Sequence, residues 1–378
     1  AFTFVTGVLF LVTVASSASA QNFRGRLSEE EKEKLNANRV GLVSGLITCS
    51  YLRLANDFAR LIDDLQILEM RVLVMVGKGS VQNITDLLNV RGVDIAIVQA
   101  DALDFLQQQP GFEDARARIG YITQLYREEI HILARDGIGR LSDLAGKRVN
   151  IESPNTGTHL TSKLILDVLG LLDHVRLTEF DSQTARDMLL DGKLDAMVNV
   201  TSKPVGLFRE IAPERAKAER LGFVALPASL AIGGYVPGEL TARDYDNLIE
   251  PGRTVPMRTV PSVLAAYRWP PGHPRQQAVA KFTRLFFDAF PQLAGPVFER
   301  SREKWCEVDL GDPVLGWTRI DAATEWLKQN RGKPARLDCG KKAAEAAPAG
   351  AGAPTCEQAL RTALQQRGQA ADGLDRDA

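Results

Sequence analysis

Short apolar runs rich in β-branched residues alternate with amphipathic, helix-period patterns from about Val40 to Leu337. The runs that predict strands are VGLVSG, MRVLVMV, VDIAIVQ, EEIHILAR, KRVNIES, LDAMVNV, GFVALP and RTVPSVLAAYR. The patterns that predict helices include SYLRLANDFARLIDDL, SVQNITDLLNV, LTSKLILDVLGLL and TARDMLLDGK. This alternation predicts an α/β fold in which mostly parallel sheets are covered by helices on both faces.

Three of the predicted helices begin in loops that suit a polar ligand. The loops lie in NTGTHLTSKLILDVLG (155–170), GLVSGLITCSYLRLANDF (41–58) and MVGKGSVQNITDLL (75–88). Glycine permits close approach of the backbone, and a helix start offers unpaired N–H groups with a positive dipole end. Taken singly, such a loop is more often only a helix cap, but three together favour a convergent pocket for an anionic or polar group. None has the spacing of a nucleotide-binding loop.

The strand predicted at 93–99 brings two further polar residues to the same edge of the sheet. Gln99 ends this strand, and it is equally consistent with a ligand contact or a structural role. Asp101 follows it directly, and we expect its side chain to cap the next helix.

The two ends of the chain differ from the rest in composition. Residues 1–20 are uncharged and apolar and end in Ala18-Ser19-Ala20, which predicts a secretory signal peptide that lacks its basic start; a membrane anchor is the alternative. Residues 341–378 are rich in Ala, Pro and Gly, and we expect a flexible tail. The mature protein is therefore expected to be exported to the periplasm.

Charge and cysteine content exclude several classes of function. The chain has 46 basic and 47 acidic residues among 378, so its net charge of −1 gives no general attraction for nucleic acid. The spacing of the four cysteines and four histidines fits no metal motif, and no cofactor is expected. Export permits a disulfide, for which we expect the pair Cys306–Cys339, although Cys356 leaves other pairings open.

No catalytic set is apparent in the sequence. There is no nucleophile elbow, and Cys49 and His159, which lie in candidate pocket loops, are more often packing or lining residues. Glu128 and Glu129 precede a strand run, but neighbouring strand residues point to opposite faces and cannot act as a pair. We therefore predict a binding protein and not an enzyme.

Three blocks of the sequence resemble the TAXI family of solute-binding receptors of TRAP transporters. These blocks are VGKGSVQNITDLLNVRGVDIAIVQADALDFL, IGYITQLYREEIHILARDGIGRLSDLAGKRVNIESPNTGTHLTSKLILDVLGL and LDAMVNVTSKPVGLF, and the resemblance covers most of residues 40–330. It implies the two-lobed type II periplasmic binding protein fold with two crossover strands, near 126–135 and 259–268. Lobe 1 would be 38–135 with 255–338, and lobe 2 would be 136–254.

The resemblance also implies a set of ligand-binding residues in the cleft between the lobes. Three departures from the family pattern, at SGLITCSY, at Asn155-Thr156-Gly157-Thr158 and at Ser202, lie where a ligand would touch and suggest a different ligand. The implied residues are Ser44, Thr48, Tyr51, Gly79, Ser80, Gln99, Asn155, Thr156, Gly157, Thr158, Lys203 and Pro204.

The expected function is that of a monomeric extracytoplasmic receptor. It would hold a small organic acid or amino acid, bound through a carboxylate, and deliver it to TRAP-type membrane subunits. The alternatives are a sensor or orphan binding module without a transporter and, less favoured, an enzyme on the same two-lobed fold that uses Cys49 or His159.

Overall fold

The computed structural model describes residues 28–46, 50–65, 67–227, 229–230 and 233–339, without the side chain of Lys34. The signal peptide predicted at 1–20 and the tail predicted at 341–378 lie outside these residues. In the part of the chain that the structure describes, no helix combines the length and the apolar character that a membrane span requires.

The described residues alternate between strands and helices as the sequence pattern predicts. The strands are β1 (Arg39–Val43), β2 (Arg71–Met75), β3 (Ile95–Gln99), β4 (Ile119–Ala134), β5 (Arg148–Asn150), β6 (Arg176–Thr178), β7 (Ala196–Thr201), β8 (Gly222–Phe223), β9 (Val236–Thr241) and β10 (Thr254–Tyr267). The helices are α1 (Glu29–Ala37), α2 (Ser50–Ile62), α3 (Ser80–Asn89), α4 (Asp101–Gln107), α5 (Ala115–Arg118), α6 (Gly157–Val168), α7 (Ser182–Leu190), α8 (Gly206–Arg209), α9 (Pro213–Ala218), α10 (Pro274–Ala289), α11 (Arg302–Cys306) and α12 (Asp321–Gln329). Short 3₁₀ turns lie at Leu141–Leu144, Leu172–His174, Phe290–Ala294 and Pro296–Phe298.

These ten strands form one hydrogen-bonded sheet: eight follow the order β2-β1-β3-β10-β4-β7-β5-β6, while β8 pairs with β4 and β9 with β10. The short strands β1, β2 and β3 pair in parallel at one end, and β5, β6 and β7 pair in parallel at the other. Between the two groups lie β4 and β10, which pair antiparallel with each other and with their neighbours. The structure confirms the predicted α/β class, with parallel strand groups on either side of two crossing strands.

The crossing strands are much longer than the other strands. β4 has 16 residues and β10 has 14, and they remain paired from Ile119 opposite Tyr267 to Glu129 opposite Thr259. Every residue of β4 except Arg127 is buried, because strands flank β4 and helices cover it. The two strands therefore lie between the two parallel strand groups, where the resemblance implies crossover strands.

Each side of the crossing strands has its own hydrophobic packing. On the β1–β3 side, Phe58 packs against Phe286 and Trp305 with ring centroids 4.8 and 5.3 Å apart. On the β5–β7 side, a separate cluster joins β5 and β7 to α6 and α7 through residues such as Val149 and Ile165. Burial of these apolar side chains supplies the main favourable free energy of folding for each lobe.

A disulfide closes the C-terminal segment of the described chain. Cys306, at the end of α11, bonds to Cys339, and their Cα atoms are 6.0 Å apart. The predicted pairing is confirmed. The bond attaches the last described residues to α11, where Trp305 is fully buried in the aromatic core.

Candidate ligand-binding cleft

The starts of helices α3 and α6 meet beside the crossing strands. Gly79 precedes α3 with φ 140°, a backbone conformation that favours glycine, and Thr156 is the N-cap of α6. A Cβ built on Gly79 would lie 3.0 Å from the Cα of Thr156, so the two turns are in close contact. The backbone N–H of Gln82 donates to the carbonyl oxygen of Asn155 at 3.3 Å. The positive ends of both helix dipoles therefore point toward the same region.

Gln99, the last residue of β3, lies between these helix starts. It is 1% exposed, and its backbone N–H donates to the Ser80 hydroxyl at 2.9 Å. Its side-chain amide packs against Gly157, where a Cβ would come within 2.0 Å of Gln99 Oε1. That Oε1 is buried and has no hydrogen-bond partner. Gly157 is thus required for close approach of the lobes, and Gln99 presents an unsatisfied acceptor at their junction.

Glu128 on β4 lies behind Gln99 and is only 2% exposed. The Tyr51 hydroxyl donates to its Oε2 at 2.8 Å, and the Gln99 side chain also hydrogen-bonds to it. Burial raises the pKa of this carboxyl to about 8, with a further increase from the negative charges of Asp101 and Glu129; the hydrogen bonds from Tyr51 and Gln99 act in the opposite direction. The carboxyl is therefore mostly neutral at pH 7.

The neighbouring Glu129 has a separate set of partners. Its Oε2 accepts the backbone N–H of Lys203 at 2.7 Å. Burial raises its pKa to about 7, against the lowering effects of the Lys304 charge and of the Lys203 N–H. The two adjacent carboxyls do not share a partner, which agrees with their predicted placement on opposite faces of the strand.

Asp101 does not cap the following helix, so that prediction is wrong. It is the first residue of α4, and its carboxylate instead accepts the hydroxyls of Tyr235 and Thr161, the latter at 3.1 Å. Burial raises its pKa to about 6, and its Oδ1 has no hydrogen-bond partner. The stronger partner was not visible in the sequence because Tyr235 is 134 residues away along the chain.

Several of the residues implied by the resemblance use their side chains within their own lobe. The Ser44 hydroxyl donates to the Met75 carbonyl at 2.8 Å and joins β1 to β2. The Thr156 hydroxyl accepts the N–H of His159 at 3.1 Å, and the Thr158 hydroxyl accepts the N–H of Val200 at 3.0 Å. These hydroxyls stabilise the loops that shape the cleft. Thr48 lies outside the described residues.

The loop that contains Lys203 and Pro204 uses its polar groups in contacts within the protein. The Lys203–Pro204 peptide bond is cis. The Lys203 ammonium donates to Asp244 Oδ2 at 3.2 Å, which engages the charge within its own lobe, and Pro204 is exposed. The preceding residue, Ser202, bridges the lobes through a 2.7 Å hydrogen bond with the Ser50 hydroxyl.

The described histidines near the cleft are occupied by other contacts. His159 Nε2 lies 2.9 Å from Glu179 Oε1. His131 is fully buried, with Nε2 2.8 Å from the Tyr245 hydroxyl, and burial lowers its pKa to about 4. Among the described residues, no group of three or more His, Cys, Asp or Glu side chains could hold a metal ion. Cys49 lies outside those residues.

The structure thus brings together Gly79, Ser80, Gln99 and the turn at 155–158, with Tyr51 reaching them through Glu128. Sequence analysis did not identify two buried participants, Thr161 and Tyr235, and it considered Glu128 only as a possible catalytic carboxylate. A polar side chain inside an apolar strand run was the available signal for Glu128. No local signal marks Tyr235 or Thr161, because their role depends on contact between the lobes.

Several solved structures resemble this chain at low identity. Periplasmic binding protein BugD is 16% identical over 77% of this chain and 93% of that chain, with a TM-score of 0.44. The alkanesulfonate-binding protein SsuA from Xanthomonas axonopodis pv. citri bound to MOPS is 16% identical over 79% and 80%, with a TM-score of 0.40. Tv2483 bound to L-arginine is 12% identical over 75% and 98%, with a TM-score of 0.43. The fold assignment therefore rests on this chain's own strand order.

A family match covers the residues that build much of the cleft. The matched range runs from the end of β1 past β8 and includes α3, the end of β3, the start of α6 and the loop after β7. Residues 43–228, just under half of the chain, match the NMT1-like family.

Proposed function

We propose that this protein is an extracytoplasmic solute receptor that closes two lobes around a small organic acid or amino acid. The observation that carries the proposal is the meeting of two helix starts from opposite lobes, with buried polar atoms left unsatisfied between them. Gln99 Oε1 and Asp101 Oδ1 are both buried without partners. Buried polar atoms are normally hydrogen-bonded, and because both of these atoms are acceptors they suit a donor group of the solute, such as the ammonium of an amino acid, or an ordered water.

Closure would follow from contacts that only the closed state makes. Across the cleft, Ser50 bonds to Ser202 and the N–H of Gln82 bonds to Asn155, while Tyr235 reaches Asp101. Polar contacts of this kind contribute about 1 kcal/mol each, so a ligand that touches both lobes would shift the balance between open and closed forms.

The ionisation of the buried carboxyls bears on how a carboxylate ligand could be accommodated. Glu128 is mostly protonated at pH 7, so its charge does not repel an anion there. The starts of α3 and α6 carry the positive ends of their helix dipoles, which favour negative charge. A carboxylate held at these helix starts is the ligand chemistry that we propose, and its affinity should fall above pH 8, where Glu128 ionises.

The location and partner of the receptor are part of the same proposal. The apolar segment at 1–20 supports export to the periplasm, and the blocks that resemble the TAXI family support delivery to TRAP-type membrane subunits. We propose a monomer with lobe 1 formed by 38–135 and 255–338 and lobe 2 by 136–254. A sensor or orphan module would use the same cleft; a transporter subunit encoded beside the receptor would favour uptake, and a sensor kinase there would favour signalling.

An enzyme on the same fold is the rival of a different class. It would depend on Cys49 or His159, and His159 already contacts Glu179. Replacing both residues by Ala should leave solute affinity within about threefold of the wild type. Turnover of a bound solute that disappears with either replacement would instead identify an enzyme.

The proposal is tested by native mass spectrometry of the full chain as purified, followed by thermal unfolding with a panel of organic acids and amino acids. We expect a bound small molecule or a member of the panel to raise the unfolding temperature, because a ligand specific for the folded state stabilises it. Gly157→Ala should reduce this shift, because its methyl group would displace the Gln99 amide; Gly139→Ala, where nothing lies within 4 Å, is the matched control. No co-purified molecule and no shift with any compound would contradict the proposed function.

A further inference from the structure

A buried arginine that forms no ion pair with any described residue lies on crossing strand β10. Arg258 is 6% exposed. β10 pairs with β9 up to Thr259 and with β4 from Thr259 onward, so Arg258 lies where the strand passes from one lobe toward the other. None of the residues implied by the resemblance, and no part of the proposed binding mode above, includes this side chain.

The guanidinium of Arg258 has few partners for a buried cation. Its Nη2 donates to the Tyr235 carbonyl at 3.3 Å, while its Nε is buried with no acceptor. Across the described chain, no Asp or Glu forms an ion pair with it. Arg275, by contrast, pairs directly with Asp94, which is almost fully buried. Arg258 therefore combines burial, a full positive charge and an unused donor.

This arrangement is costly unless an anion completes it. A charged group removed from water loses its hydration, and buried charges in proteins are normally paired and hydrogen-bonded. A guanidinium presents a planar set of donors that matches a carboxylate. The missing partner of Arg258 is thus an acceptor with negative charge.

The contact between Arg258 and Tyr235 connects this cation to closure. The carbonyl of Tyr235 accepts from Arg258, and the hydroxyl of the same residue bonds to Asp101 on the opposite lobe. An anion bound to Arg258 would therefore lie next to the residue that joins the lobes.

We propose that Arg258 binds the carboxylate of the solute and so forms an anion subsite at the crossing strands. This inference rests on the proposed receptor function, and it assigns the charged anchor that the helix starts alone do not supply. Arg258 is a binding residue, and Tyr235 positions it.

The test compares the wild type with Arg258→Met and Arg258→Lys by calorimetric titration with acetate, succinate, glutarate, aspartate, glutamate and any solute identified by mass spectrometry. For an acid that binds the wild type, we expect Arg258→Met to weaken affinity roughly 30-fold or more, as for other buried charge pairs that lose one partner. Arg258→Lys should retain part of the affinity because it keeps the charge. Arg253→Met is the matched control, since Arg253 is exposed just before the same strand.

The stability of the ligand-free variants separates a binding role from a structural one. Because the unpaired charge is costly, Arg258→Met without ligand should unfold at or above the wild-type temperature. Unchanged acid affinity in Arg258→Met overturns the proposal, as does a lower unfolding temperature of the ligand-free variant, which would assign Arg258 a structural role.

A sodium sulfate titration tests the anion subsite independently of the solute. Sulfate stabilises folded proteins generally, so both proteins should gain stability, but the wild type should gain more than Arg258→Met. If no acid binds the wild type while this difference persists, the receptor function fails and the anion subsite stands. If the two sulfate curves coincide, the subsite fails.

Discussion

The buried Glu128 makes stability depend on pH in a direction opposite to that of most carboxylates. Its pKa rises from the ordinary 4.5 to about 8 in the folded protein, chiefly through burial. The folded state therefore keeps a proton that the unfolded state has released, and between these values the stabilising contribution is lost as pH rises. Glu128→Gln removes the titration while it preserves the size of the side chain and an acceptor for the Tyr51 hydroxyl.

The size of the effect follows from this window. Each pH unit between the two pKa values lowers the free energy of unfolding by about 1.4 kcal/mol, so the full window from 4.5 to about 8 corresponds to roughly 5 kcal/mol. Local relaxation and water entry lower the real penalty of a buried charge, so this figure is an upper limit. At pH 5 the two proteins should be within about 1 kcal/mol of each other, since Gln resembles the neutral carboxyl.

The measurement is urea unfolding, followed by tryptophan fluorescence, of wild type and Glu128→Gln from pH 5 to 8.5. The variant should become progressively more stable than the wild type as pH rises, by up to a few kcal/mol at pH 8. Glu299→Gln, at an exposed position, is the control and should run parallel to the wild type. Parallel curves for Glu128→Gln and wild type would refute the raised pKa and the buried environment from which it is argued.

Three further changes test the cleft and the C-terminal segment. Tyr235→Phe should lower the free energy of unfolding by about 1–3 kcal/mol in urea titrations, because it removes a donor from a buried carboxylate; no loss would mean that this contact does not form in solution. Gly157→Ala should weaken solute binding at least tenfold by calorimetry, since its methyl group would overlap the Gln99 amide, and wild-type affinity would show that the lobes do not approach this closely. Replacing Cys306 and Cys339 together by Ser should cost about 3–4 kcal/mol for a bond that spans 33 residues, measured against the oxidised wild type; equal stability would count against the bond.

The strands β1, β2 and β3 were predicted correctly because their apolar and β-branched residues are adjacent along the chain. β1 and β3 are buried along almost their whole length, which is typical of parallel strands covered on both faces, whereas β2 lies at the end of the sheet and is partly exposed. The first half of β4 was missed because buried polar residues such as Thr123 and Gln124 interrupt its apolar pattern. Their burial depends on pairing with β10, which lies more than a hundred residues further along the chain.

β9 was missed for a different reason. It contains Pro237 and Gly238, which predict a turn when they are considered locally. Proline cannot donate a ladder hydrogen bond, but β9 lies at an edge of the sheet and pairs only with β10 among the described strands. The edge position, which the local pattern does not reveal, is what permits a strand here.

The cleft was predicted as a set of separate loops, and the structure adds the contacts that join them. A helix start can be identified from a few adjacent residues, and the starts of α3 and α6 lie at the predicted positions. Asp101 was assigned to a local cap because the sequence shows only its neighbours, whereas its partners come from the other lobe. The Lys203 ammonium could not be placed for the same reason, since it pairs with Asp244.

The central claim, that a solute bound between the lobes holds them closed, is tested most directly by small-angle X-ray scattering of the full chain with and without the solute identified by mass spectrometry. The account predicts a larger radius of gyration without solute. At saturation with solute, the measured curve should match the curve calculated from the structure described here, in which the starts of α3 and α6 are in contact. A solute that binds at saturation and leaves the scattering curve unchanged would contradict it.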